Sequence, residues 1–116
     1  MNSKEITEKR VAGLRIPTKI KIEYSTGEAQ TVNYCKDLGR GGVFIVTDGA
    51  HGPGTLLNLI FTVEDSKQIK AKGKVIWVQG PVTDRPDLTP GMGVQFLDLS
   101  DENFNTLRDY VLGDNV

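Results

Sequence analysis

The chain has 116 residues, 25% of them charged and 38% hydrophobic, with a net charge of −1. That balance fits one globular domain and excludes both a disordered chain and the strongly basic field of a general nucleic-acid binder. Cys35 is the only cysteine, which excludes an internal disulfide or a thiolate metal cage and fits a reducing cytoplasm.

Residues 1–14 are polar, with scattered apolar positions (Ile6, Val11, Leu14) and Gly13, and read as a flexible arm that orders only on a ligand. The start from Met1 to Arg10 does not resemble a signal peptide, and no apolar run approaches the roughly 20 residues of a membrane span, so a cytoplasmic location without membrane insertion is expected. From Thr18 to Ser25, Ile20, Ile22 and Tyr24 alternate with Lys19, Lys21 and Glu23, the period of a half-buried strand. Thr26-Gly27 predicts a hairpin turn into a second strand over 28–36, with Val32 and Tyr34 on the inward face. After the glycines of 39–42, Val43 to Thr47 predicts a short buried strand, and His51-Gly52-Pro53-Gly54 a turn. Two longer strands follow over 55–63 and 68–78, the second alternating Lys70, Lys72 and Lys74 with Ile69, Ala71 and Gly73 and bulging near Gly73. Residues 79–90 hold three prolines and read as a loop, 91–97 as the sixth strand. Ser100 caps a helix over 100–112 with Phe104, Leu107, Tyr110 and Val111 on one face and Gly113 as its end. Many short strands followed by one amphipathic helix predict an all-β, six-stranded antiparallel barrel with a C-terminal helix.

Chemistry concentrates in Asp37-Leu38-Gly39-Arg40-Gly41-Gly42, with Arg10 and Arg15 upstream. An acidic side chain accepts hydrogen bonds from a purine edge, glycines let a flat ligand approach the backbone, and arginines grip phosphates in a bidentate fork. The combination points to a nucleotide ligand rather than to catalysis. Each residue also has a plainer role: Asp37 as a turn former, the glycines for backbone geometry, Arg40 as a solvent-facing charge, Arg10 and Arg15 as ordinary surface charges. Residues 1–40 carry the basic excess, whereas residues 79–116 set seven acids (Asp84, Asp87, Asp98, Asp101, Glu102, Asp109, Asp114) against Arg85 and Arg108. His51 has no histidine or cysteine near it in sequence to share a metal, and Cys35 with His51 lacks the third group of a nucleophilic site. Trp77 reads as a core or barrel-edge residue and Phe44, Phe61 and Phe96 as core.

Arg15-Ile16-Pro17, the Asp37–Gly42 turn leading into Val43-Phe44-Ile45, the strand Gly73-Lys74-Val75-Ile76-Trp77-Val78 and Gly91-Met92-Gly93-Val94-Gln95-Phe96 together resemble the PilZ domain over nearly the whole chain. The likeness is greatest to the branch common in myxobacteria, where a Pro-Gly-Met-Gly-Val segment precedes the last strand. The resemblance implies a PilZ-type barrel over 15–116, no enzymatic activity, no cofactor, and binding of the second messenger cyclic di-GMP. In such proteins an Arg-x-x-x-Arg arm grips the phosphates and stacks on guanine, and an Asp/Asn-x-Ser-x-x-Gly turn contacts a guanine. Carried onto this chain, the ligand-binding residues are Arg10, Arg15, Asp37, Gly39, Arg40 and Gly42. Two positions depart from the pattern: Val11 stands where the first arginine belongs, with Arg10 one residue too early, and Gly39 replaces the serine.

The leading expectation is a receptor or adaptor that passes the messenger's signal to an effector protein. A second is an interaction module of the same fold that has lost messenger binding and contacts motility or signalling machinery. A third, nucleic-acid binding through the Lys70, Lys72 and Lys74 row, is opposed by the acidic C-terminal region and the scarcity of exposed aromatics.

Overall fold

The computed structural model describes residues 19–27, 30–63 and 67–114. Six strands, β1 (Ile20–Ser25), β2 (Thr31–Lys36), β3 (Gly42–Val46), β4 (Leu56–Val63), β5 (Lys67–Gln79) and β6 (Gly91–Asp98), precede one helix, α1 (Asp101–Asp114). All pairings are antiparallel, and the order β1-β2-β3-β6-β5-β4 closes on itself because β1 also pairs with β4. Closure gives each of the six strands a neighbour on both sides, although the two ends of β5 run past their partners. No helix among the described residues is long and apolar enough to cross a membrane.

Alternation fills the barrel as the sequence predicts for most strands. Ile20, Ile22 and Tyr24 of β1 meet Leu57, Leu59, Phe61 and Val63 of β4 and Ile69, Ala71 and Val75 of β5 in one hydrophobic cluster. In β2 the expected parity is reversed. Val32 and Tyr34 are 47% and 52% exposed, while Cys35 is buried. Directly paired residues in a sheet share a face, and the register sets Ile20 opposite Cys35, Ile22 opposite Asn33 and Tyr24 opposite Thr31. The polar Asn33 is thereby turned inward, where its amide donates to the Tyr24 hydroxyl at 3.2 Å, and Tyr24 in turn donates to Thr47 Oγ1 at 3.2 Å.

β5 changes register against β6 at Lys72/Gly73 and again between Val75 and Trp77, where the sequence places a bulge. The second shift leaves Ile76 without a partner and turns Trp77 to the outside opposite Gly93. Ser100 caps α1, its hydroxyl accepting from the Asn103 N–H at 3.1 Å, and Phe104, Leu107 and Val111 join the barrel core. The helix continues one residue past Gly113 rather than stopping there, a difference within the ordinary fraying of helix ends.

Gly42 marks the tightest approach of β3 to β6: a methyl group there would run into the Val94 carbonyl oxygen. Both partners are backbone, so Gly42→Ala forces the strands apart. A loss of about 3 kcal/mol, at the upper end for overpacking, and a fall of roughly 10 °C in Tm are expected in thermal unfolding. Burial pushes the Cys35 thiol from an ordinary 9.0 up to about 12. The unfolded chain therefore loses this proton first, so the stability linked to Cys35 is complete below about pH 9 and is lost as pH rises toward 12. Cys35 should resist a thiol reagent at pH 8 in the native protein and react promptly once denaturant is added; fast native labelling would contradict its burial.

Candidate functional site

Across the outside of β2, β3, β6 and β5, Lys36 is paired with Phe44, Phe44 with Gly93, and Gly93 with Trp77. Because Gly93 has no side chain, the indole of Trp77 lies over its Cα, and a Cβ at Gly93 would collide with the ring. The Phe44 and Trp77 rings are 5.3 Å apart and tilted by 36°, and the Lys36 ammonium lies 5.3 Å from the Phe44 ring centre. These residues floor a groove of about 530 Å³, a volume that suits a small organic ligand.

One end of the groove is the turn that the sequence singles out, with Asp37, Gly41 and Gly42 beside Gln95 of β6. Asp37 adopts a left-handed backbone, φ 55°, which an Asp tolerates better than most residues because its short polar side chain bonds locally. Leu38 then drops fully into the core. Gly39 and Gly42 exchange backbone hydrogen bonds, 2.8 Å from the Gly39 N–H and 3.3 Å from the Gly42 N–H, and the Gly41 carbonyl accepts from the Phe96 N–H at 2.8 Å. The turn is thus stitched both to itself and to β6.

Arg40 takes a different place from the solvent-facing one expected of it. Its Nε and Nη2 donate to Asp101 Oδ1 at 3.0 and 2.7 Å, and Nη2 also donates to the Leu99 carbonyl at 3.0 Å. The guanidinium carbon lies 5.4 Å from the Phe104 ring centre. Arg40 therefore ties the turn to the start of α1, and neither it nor Gly39 lines the groove. Arg10 and Arg15 lie outside the described residues.

The opposite end of the groove comes from the strand end and the proline-rich loop, with Gln79, Asp87, Leu88 and Thr89. Sequence reasoning passed over this half of the site. Trp77, assigned to the core or the barrel edge, is 47% exposed, and Phe44 is covered on the outer face rather than packed in the barrel cluster. The available signal was the alternation Gly91-Met92-Gly93, which clears one face of a strand for its neighbours' rings.

The remaining candidates find structural roles. His51 packs edge-on against Tyr24 at 6.2 Å, and no cluster capable of holding a metal occurs among the described residues. Lys70, Lys72 and Lys74 project outward from a strand that is paired on both sides.

The sequence matches the PilZ domain family over residues 7–113. No curated protein matches it. Among solved structures, the fold is similar to the Bacillus subtilis inhibitor of motility, MotI/DgrA, with a TM-score of 0.69 and 16% identity over 88% of this chain and 49% of that one. A second similarity is to the Borreliella burgdorferi PlzA protein in complex with c-di-GMP, with a TM-score of 0.48 and 20% identity over 96% of this chain and 38% of that one. The chain spans less than half the length of either protein.

Proposed function

The chain belongs to the PilZ domain family, whose members are typically non-enzymatic receptors of cyclic di-GMP, and we propose that it binds that messenger in the groove floored by Phe44 and Trp77. The observation that carries this reading is the placement of the Asp37–Gly42 turn at one end of an aromatic-floored groove. Asp37 accepts from the N1–H and N2–H edge of one guanine. The Gly41 and Gly42 backbone leaves that edge accessible, Trp77 offers a flat face to the ligand, and Lys36 supplies a charge for a phosphate.

Arg15 and Arg10 complete the phosphate grip from the segment before β1. Lys19 holds its ammonium 5.3 Å from the ring centre of Tyr34 on the exposed face of β2. Arg40 serves the site by anchoring the turn to α1. The Gly39 and Val11 departures each remove a hydrogen bond or ion pair worth about 0.5–3 kcal/mol, which sets the expected affinity in the micromolar range rather than below it.

Messenger binding orders the arm of residues 1–14 and so changes the surface offered to an effector protein, in the motility or signalling machinery, by favouring one of two states. Placement in the myxobacterial branch belongs to this reading and rests on the Pro90-Gly91-Met92-Gly93-Val94 run. The same two departures favour a second reading, an interaction module without the messenger.

Titration calorimetry separates the two. Cyclic di-GMP should bind with micromolar affinity, and Arg15→Ala and Asp37→Ala should each weaken it about ten- to a hundredfold, with Tm unchanged in Arg15→Ala and slightly lowered in Asp37→Ala, which loses the side chain suited to the left-handed backbone. Unchanged affinity in both variants overturns the site assignment, and no heat from the wild-type protein favours the interaction module.

A further inference from the structure

The groove carries a second carboxylate. Asp87 lines it at the end opposite Asp37, and a carboxylate in a groove meant for an anionic ligand repels that ligand unless it is neutralised or used. Arg85 holds it in a bidentate pair, Nε to Oδ1 at 3.0 Å and Nη2 to Oδ2 at 2.9 Å. Each pair member is more than half exposed, so the pair contributes little to folding stability. Its effect is on geometry and charge. The Arg85 guanidinium keeps the Asp87 carboxyl below its ordinary range and therefore ionised at neutral pH, while each carboxylate oxygen retains a further lone pair for another donor.

The loop that carries the pair is itself tied down. The Arg85 N–H donates to the Val82 carbonyl at 3.1 Å, the Leu88 N–H to the Arg85 carbonyl at 3.0 Å, and the Thr47 N–H to the Pro90 carbonyl at 3.2 Å. The last of these fixes the loop against the end of β3 remote from Gly42. Asp37 and Asp87 are thus held at the two ends of a groove lined by Gly42, Val43 and Phe44 of β3, with the Phe44 and Trp77 floor between them.

We propose that Asp87 accepts the donor edge of the second guanine, so that cyclic di-GMP is read at both ends, by Asp37 at one and by Arg85-held Asp87 at the other. The inference rests on the reading of the groove as the messenger's site. Guanine presents N1–H and N2–H₂ side by side, a donor pair that suits a carboxylate. Adenine presents an acceptor at N1, which a carboxylate repels. The residue therefore selects the base as well as holding it, and Arg85 is a positioning residue that acts through it.

The test compares cyclic di-GMP with cyclic GMP–AMP, which retains one guanine, on the wild-type protein, Asp87→Ala and Arg85→Ala by calorimetry. The wild type should prefer cyclic di-GMP by about tenfold or more. Asp87→Ala should lose that preference by weakening cyclic di-GMP and tightening cyclic GMP–AMP, whose adenine no longer meets a carboxylate, and Arg85→Ala should reduce the preference partway. Retained preference in Asp87→Ala, tighter cyclic di-GMP binding by that variant, or absence of preference in the wild type overturns the role of Asp87 while leaving the groove as the site. Failure of the wild type to bind either dinucleotide overturns the reading of the groove and this inference with it.

Discussion

Leu38 interrupts an otherwise polar turn, and its complete burial in the barrel is the constraint from which the geometry of the site follows. With Leu38 fixed, Asp37 before it is held in a left-handed conformation at the groove mouth, and Gly39 to Gly42 close on one another by backbone hydrogen bonds. The carbonyl of Gly41 then anchors on Phe96, and Arg40 reaches across to Asp101 and Leu99. The Arg40–Asp101 pair is exposed, 39% and 87% for the two side chains, and such pairs contribute at most about 1 kcal/mol. Its value is positional: the turn, β6 and the helix start move as one piece.

Barrel closure has a consequence for the outer face. Because the interior takes Ile22, Phe61, Val75 and Leu107, the outside of β2, β3, β6 and β5 is free to carry aromatic rings. The register shift between Val75 and Trp77 delivers the indole to that face, and Gly93 gives it a flat seat. A stacking surface and a cation at Lys36 are thus products of strand register, whereas the acceptors Asp37 and Asp87 come from the turn and the loop at its ends.

Legibility in the sequence follows the same division. β1, whose apolar residues alternate without exception, could be read directly, as could the capped helix and the bulge near Gly73. β2 could not: Asn33 turns inward with Cys35, while Val32 and Tyr34 point out, and only the pairing with β1 decides the parity. The Asp37–Gly42 turn was visible because glycine and aspartate signal backbone geometry locally. Arg40 was misplaced because its partner Asp101 is 61 residues away. Trp77 and Asp87 were missed for a related reason, since a bulge and a proline-rich loop obey no period and their side chains acquire meaning only when the barrel brings them to Phe44 and Gly93.

Trp77 is the only tryptophan in the chain, and it lies in the floor of the proposed binding groove. Its emission during titration with cyclic di-GMP is therefore the most direct test of where the ligand goes. The account predicts a saturable change in intensity or wavelength, with the midpoint that calorimetry gives for binding and no change with ATP. Calorimetric binding that leaves Trp77 emission untouched would place the messenger elsewhere on the protein and contradict the account.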